Sequence, residues 1–184
     1  MRLYLIRHPR PDVASGICYG STDIPVKPQD TMQVLEALKP LLPLSAPVFS
    51  SPLRRCAELA KKLASFLNAT RLSFDPRLAE MNFGAWEMRS WEEIPREEVD
   101  AWAQDLCAWR PGGGENVLQV AQRLQAFLDD LRRSTEGNVI VVAHAGTIRL
   151  LLEYGSGATS EEAALTAASI RRDIGYGQLI VLDC

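Results

Sequence analysis

The sequence predicts an α/β protein, a three-layer sandwich with a mostly parallel central sheet and helices on both faces. Three observations carry that expectation. Apolar runs of strand length alternate with amphipathic segments of helix length, the pattern of βα units. Two of the runs, Leu3–Arg7 and Val139–Ala143, are near-continuously apolar, as in strands covered on both faces. The only two histidines of 184 residues, His8 and His144, each directly follow one of those runs. Sites in open α/β sheets assemble at the carboxyl ends of strands.

The elements follow in order. Leu3–Arg7 reads as a buried strand. Residues 8–30 hold four prolines and two glycines and read as a long loop, which in a small domain is usually functional. Thr31–Leu42 has helical apolar spacing and stops near Pro43. Val48–Ser50 is a short strand. Ser51 and Pro52 then suit the cap and the first position of a helix that runs to about Leu67. Leu72–Phe74 is a third strand. Residues 76–95 are aromatic and irregular around MNFGAWEMRSW. Glu97–Trp109 reads as helical, and Pro111 to Gly114 break the chain. Val117–Leu131 is an amphipathic helix with apolar Val117, Val120, Ala121, Leu124, Phe127, Leu128 and Leu131. Val139–Ala143 is the central strand. Helices follow from about Gly146 and Ser160, and Gln178–Leu182 closes the sheet.

Composition narrows the function classes. A chain of this length with 47% hydrophobic residues is most simply one domain, residues 1–184. A net charge of −3 argues against a nucleic-acid partner. No apolar stretch is long enough to span a membrane, and the start lacks a signal-peptide core, so a cytoplasmic location is expected. The four cysteines, Cys18, Cys56, Cys107 and Cys184, are scattered without a CxxC pair. That fits reduced thiols rather than a disulfide framework or a zinc site.

The chemistry points to an anion. His144-Ala145-Gly146-Thr147 joins a strand exit to a helix start, where free backbone N–H groups, Ala145 among them, attract negative charge. Small residues let a ligand approach the backbone there. Arg7 precedes His8, and Arg54 and Arg55 fall in the first turn of the Ser51 helix. Cations are misplaced at the positive end of a helix dipole unless an anion joins them. Arginines at two strand ends with two histidines suggest a phosphoryl pocket. An imidazole can serve as nucleophile, and a leaving alcohol then needs an acid. Glu80 and Glu87 are the candidates, and their neighbours Met81, Phe83 and Trp86 would raise a carboxyl pKa. Glu87 reads equally as a surface residue.

At this point the chain resembles the histidine phosphatase superfamily, also called phosphoglycerate mutase-like, from Arg2 to Leu182. LIRHP stands where the family has strand–Arg-His-Gly, and SSPLRRCAELA matches its Ser-Pro-Leu-x-Arg-Ala helix start. LAEMNFGAWE matches Leu-x-Glu-x-x-x-Gly-x-Trp-Glu; PGGGEN matches the Gly-Glu-Ser turn and VVAHAG the second histidine motif. The resemblance implies that His8 is the nucleophile, that Arg7 and Arg55 clamp phosphate, and that Glu80 is the proton donor. It implies that His144 is a second phosphate contact, with no metal and no cofactor.

Departures sit in the first motif, His8-Pro9-Arg10-Pro11, and at Asn116, where the family has Ser. Ser15, Ser21 or Thr22 could replace the family's usual Thr and Asn contacts. The segment HPRPDVASGICYGSTDIPV resembles bacterial alpha-ribazole phosphatases, which implies a small-molecule phosphate ester as substrate. Gly16–Pro25 would then lie at the pocket mouth, with Tyr19 or Trp86 stacking on the leaving group's base. Three alternatives remain open: a broad small-ester or sugar phosphatase, a metallohydrolase with His8, His144 and Glu80 as zinc ligands, and a non-catalytic phospholigand-binding module.

Overall fold

A computed structural model describes residues 1–134, 137–169 and 172–184. Strands β1 (Arg2–Arg7), β2 (Val48–Ser50), β3 (Leu72–Phe74), β4 (Asn138–Ala143) and β5 (Leu179–Asp183) form one sheet in the order β3-β2-β4-β1-β5. β3, β2, β4 and β1 run parallel, and β5 pairs antiparallel with β1. The register pairs Arg7 with Ala143, so the residues that follow, His8 and His144, leave the sheet side by side. His8 N–H extends the ladder by donating to the Ala143 carbonyl at 3.0 Å.

The helices are α1 (Pro28–Leu38), α2 (Arg54–Phe66), α3 (Arg96–Gln104), α4 (Val117–Ser134), α5 (Ala145–Gly155) and α6 (Ser160–Ser169). Successive residues of β4 feed opposite faces, because side chains of a strand alternate. Val139, Val141 and Ala143 pack with Leu124, Phe127, Leu151 and Tyr154 of α4 and α5. Ile140 and Val142 pack with Leu35, Leu38, Leu59 and Leu63 of α1 and α2. The three-layer sandwich is as predicted, and the unbroken apolar run of β4 is its cause.

Boundaries differ in three places. α1 starts at Pro28, whose fixed φ suits a first helical position, and gives way at Lys39 to a 3-10 turn through Leu41. α3 ends at Gln104 rather than Trp109. From there Asp105 and Asn116 make local turn bonds to Ala108. α2 begins at Arg54, three residues after Ser51, and Ser51 does not cap it. Its first N–H is met instead from the long loop: Asp23 Oδ1 accepts from Arg54 N at 2.7 Å. A carboxylate from elsewhere in the chain thus offsets the arginines at the positive helix end.

Beside the sandwich, a small third core joins Cys18, Trp86 and Ile94, with Phe83, Val99, Trp102 and Trp109 packed against it. No described helix is long and apolar enough to cross a membrane. The four cysteines are unpaired.

Candidate active site

The exits of β1 and β4 set the site. The His8 and His144 ring centroids are 5.0 Å apart, and both side chains are almost wholly buried. The Pro9 carbonyl accepts from His8 Nδ1 at 2.7 Å, which fixes the proton there and leaves the Nε2 lone pair available. Burial, then the positive charge of Arg55, pushes the His8 pKa down to about 3. His144 is also held well below the usual histidine range, first by burial and then by His8 and Arg55. Both imidazoles are neutral at pH 7, as a nitrogen nucleophile requires.

Arg55 is buried to 1% exposure in the first turn of α2. Its Nε donates to His144 Nδ1 at 3.2 Å, and its two terminal nitrogens donate to the carbonyls of Thr22 and Gly20. Because Nδ1 accepts, His144 carries its proton on Nε2, which donates to Ser51 Oγ at 2.8 Å. Gly20 is tightly fitted: a Cβ there would lie 2.3 Å from the Met81 carbonyl oxygen. Arg7 donates to the Ile174 carbonyl, lies 3.8 Å from the ring centre of Tyr176, and keeps a buried Nε without a partner among the described residues. Neither Arg7 nor Arg55 has a carboxylate within ion-pair distance among the described residues. A buried cation without an acid partner costs several kcal/mol, and an oxyanion with paired acceptors would offset it. Arg54, by contrast, is exposed and pairs with Glu58 at 3.3 Å.

Glu80 lies at the start of α5. Its carboxylate accepts from Gly146 N at 3.2 Å and from Met81 N at 3.1 Å. The negative group at that helix N-terminus is therefore the chain's own. A Cβ at residue 146 would fall 2.5 Å from Glu80 Oε1, so glycine is what admits the carboxylate. The setting is more polar than the neighbouring Met81, Phe83 and Trp86 suggested. Ala145, the first residue of α5, lies between His144 and Gly146 at the same corner.

The loop residues are placed differently from their sequence reading. Ser21 and Thr22 turn their hydroxyls onto Glu87, not toward the histidines. Glu87 Oε1 also accepts from Ser21 N at 2.8 Å and Phe83 N at 3.0 Å. It is a loop organiser rather than a free surface residue. Trp86 is 1% exposed inside the third core and donates to Glu98 at 2.7 Å, so it is not placed to stack on a ligand. Tyr19 is near the site: its ring centre is 5.4 Å from the Arg55 guanidinium carbon, and its hydroxyl meets that of Tyr176 at 3.1 Å. Burial, then the bond to Tyr176, pushes the Tyr19 pKa up, so that hydroxyl stays protonated.

Sequence reasoning named Ser51 as a helix cap and Glu87 as a candidate acid or surface residue, and missed their parts here together with Tyr176. Ser51 holds His144, Glu87 holds the loop, and Tyr176 covers Arg7 with its ring 5.6 Å from His8. A tyrosine between two glycines at 175–177 is the one signal that marked Tyr176.

Residues 3–172 match the family model described as Histidine phosphatase superfamily (branch 1). The adenosylcobalamin/alpha-ribazole phosphatase of Escherichia coli (strain K12) is 32% identical over 162 residues, covering 83% of this chain and 77% of that protein. The alpha-ribazole phosphatase of Shigella flexneri superposes with a TM-score of 0.82 at 27% identity, over 100% of this chain and 90% of that one. A mycobacterial glucosyl-3-phosphoglycerate phosphatase gives a TM-score of 0.81 at 26% identity, over 99% and 92% of the two chains.

Proposed function

Because this chain belongs to the histidine phosphatase superfamily and is a phosphatase, we propose that it hydrolyses a small-molecule phosphate monoester through a phosphohistidine on His8, with alpha-ribazole 5′-phosphate as the substrate. The observation that carries the reading is the pairing of buried Arg55 and half-buried Arg7, neither with an acid partner among the described residues, with a neutral histidine whose Nε2 is unprotonated. Cations alone would serve a binding module. The poised nitrogen beside them adds a nucleophile.

His8 Nε2 attacks phosphorus while the bond from phosphorus to the alcohol oxygen breaks, and Glu80 gives that oxygen its proton. Water then attacks the phosphohistidine, its proton passes to Glu80, and the phosphorus–nitrogen bond breaks to release inorganic phosphate. Arg7 and Arg55 neutralise the phosphoryl oxygens, and the Ala145 N–H adds a backbone donor. His144 holds Arg55 through Nδ1, and its Nε2–H turns from Ser51 to a phosphoryl oxygen. Positive charge this dense opposes a metal cation at the same place. Turnover of an aryl phosphate should therefore survive EDTA and need no added magnesium or zinc.

The substrate rests on two supports: the resemblance of the loop GICYGSTDIP and the relatives named for alpha-ribazole. The structural neighbour named for glucosyl-3-phosphoglycerate keeps a sugar-type ester as the second reading. The test is acid-quench trapping followed by a substrate panel. Wild-type protein should carry an acid-labile, base-stable phosphate that His8→Ala lacks. The kcat/KM for alpha-ribazole 5′-phosphate should exceed that for 3-phosphoglycerate or a hexose phosphate. A tenfold win for either of the latter, about 1.4 kcal/mol, would overturn the substrate and leave the phosphohistidine standing.

A further inference from the structure

Next to Glu80 lies a pocket of about 320 Å³, within the roughly 300–1,000 Å³ span of small-molecule sites. Ala145 and Gly146 at the start of α5 line it. Phe83, Trp102 and Leu106 come from the aromatic segment, Val117 from α4, Leu150 from α5 and Ala168 from α6. Among its described lining side chains only Glu80 and Arg149 carry charge. Arg149 is held by its Nε, which donates to the Arg172 carbonyl at 2.8 Å. Tyr19, which the sequence put at the leaving group, does not line this pocket, and neither do Ser21 and Thr22.

The chemistry of the walls selects the guest. A hydroxyl pressed against Phe83, Val117 and Leu150 would lose its water without gaining a partner. An aromatic ring would gain contact with Phe83 and Trp102 and would itself bring no polar group to leave unpaired. Glu80, which lines the pocket, is the proposed proton donor, so the broken bond belongs beside Glu80 and the alcohol in the pocket. Resting on the phosphatase reading above, we propose that this pocket receives the leaving alcohol, and that the alcohol carries an apolar ring. Alpha-ribazole, with its flat bicyclic base, is one member of that class; glycerate, serine and hexoses are not.

The experiment compares benzyl phosphate, 2-naphthylmethyl phosphate and glycerol 1-phosphate, all esters of primary alcohols, with acetyl phosphate as a ring-free reference. In the wild-type protein, kcat/KM for benzyl phosphate should exceed that for glycerol 1-phosphate by about tenfold or more, the scale for filling an apolar pocket. The naphthylmethyl ester should do at least as well as the benzyl ester. Ala168→Phe narrows the pocket, so the ratio of naphthylmethyl to acetyl phosphate turnover should fall about tenfold. Glycerol 1-phosphate matching or beating benzyl phosphate overturns the inference and leaves the phosphatase intact. An unchanged ratio in folded Ala168→Phe overturns it as well. No turnover of any ester, with no phosphohistidine, overturns the phosphatase reading and this inference with it.

Discussion

The strand-end cluster and the aromatic segment from Phe83 to Trp109 adjoin one another and are built in opposite ways. In the cluster, polar groups are buried and each is aimed by a named bond: His8 by Pro9, His144 by Ser51 and Arg55, Arg55 by Gly20 and Thr22. In the aromatic segment, position comes from ring packing. Trp86 lies 5.5–6.1 Å, centre to centre, from Trp91, Trp102 and Trp109. Directed bonds suit a site that must hold one geometry for phosphoryl transfer. Packed rings suit a wall that selects a guest by shape and polarity. Changes in the cluster should therefore stop the chemistry with little loss of fold, and changes in the segment should cost stability or alter selectivity with the chemistry intact.

The largest expected effect tests the first half. His8→Ala should lower turnover by about 10⁴-fold or more, the scale for removing a nucleophile. The variant should stay folded, because the ring it loses is neutral at pH 7 and is held by its bond to the Pro9 carbonyl. Activity and circular-dichroism melts on the same sample read both. A variant that keeps turnover, or one that unfolds, breaks the contrast.

Glu80→Gln comes next. General acid catalysis contributes roughly 10²–10⁴-fold when the leaving group is poor. An alkyl phosphate should therefore lose that much, and a nitrophenyl phosphate far less, when phosphoenzyme formation limits the rate. Equal losses for both under that condition would move the acid elsewhere.

The same contrast explains how much could be read from sequence. The side-by-side exit of His8 and His144 was legible because near-continuous apolar strands must end somewhere, and in this fold class ligands bind at such ends. Arg55 was separable from Arg54 only through the family motif; the structure shows one buried and the other in water. Asp23 on α2, Ser51 on His144, Glu87 on the 21–22 turn and Tyr176 on Arg7 were not legible. Each joins segments far apart in the chain, and local pattern carries no trace of such a partner. Trp86 failed for a related reason: an aromatic residue in an irregular stretch looks the same whether it faces a ligand or fills a core.

A third, smaller effect follows from the depressed histidines. The folded His8 resists protonation down to about pH 3, whereas the unfolded chain takes that proton near 6.5. Between those values the unfolded state holds more protons. Stability is therefore full above about pH 6.5 and falls as the pH drops, by about 1.4 kcal/mol per unit for each such histidine. His144 shifts in the same direction and adds to the slope. Urea unfolding between pH 6.5 and 4.5 reads this slope. His8→Asn should flatten it, and an unchanged slope would show that the His8 environment does not carry the cost.

The smallest effect sharpens the other half of the contrast, inside the aromatic segment. Trp86 and Trp102 pack against each other, ring centres 5.9 Å apart and nearly perpendicular. Their indole N–H groups fare differently. Trp86 Nε1 donates to the Glu98 carboxylate at 2.7 Å, whereas Trp102 Nε1 is buried with no partner among the described residues. Replacing either by Phe removes similar apolar contact, so the packing losses should roughly cancel in the comparison. The polar terms do not cancel. Trp86→Phe gives up a hydrogen bond to a charged group, worth about 1.5–3 kcal/mol, while Trp102→Phe removes a donor whose burial already costs about 1–3 kcal/mol. Trp86→Phe should therefore be the less stable variant by about 2 kcal/mol or more in urea unfolding. Trp102→Phe should hold nearly the wild-type midpoint. If the two variants unfold at the same urea concentration, then ring packing alone sets the energetics of this wall, and the Glu98 bond contributes nothing measurable to it.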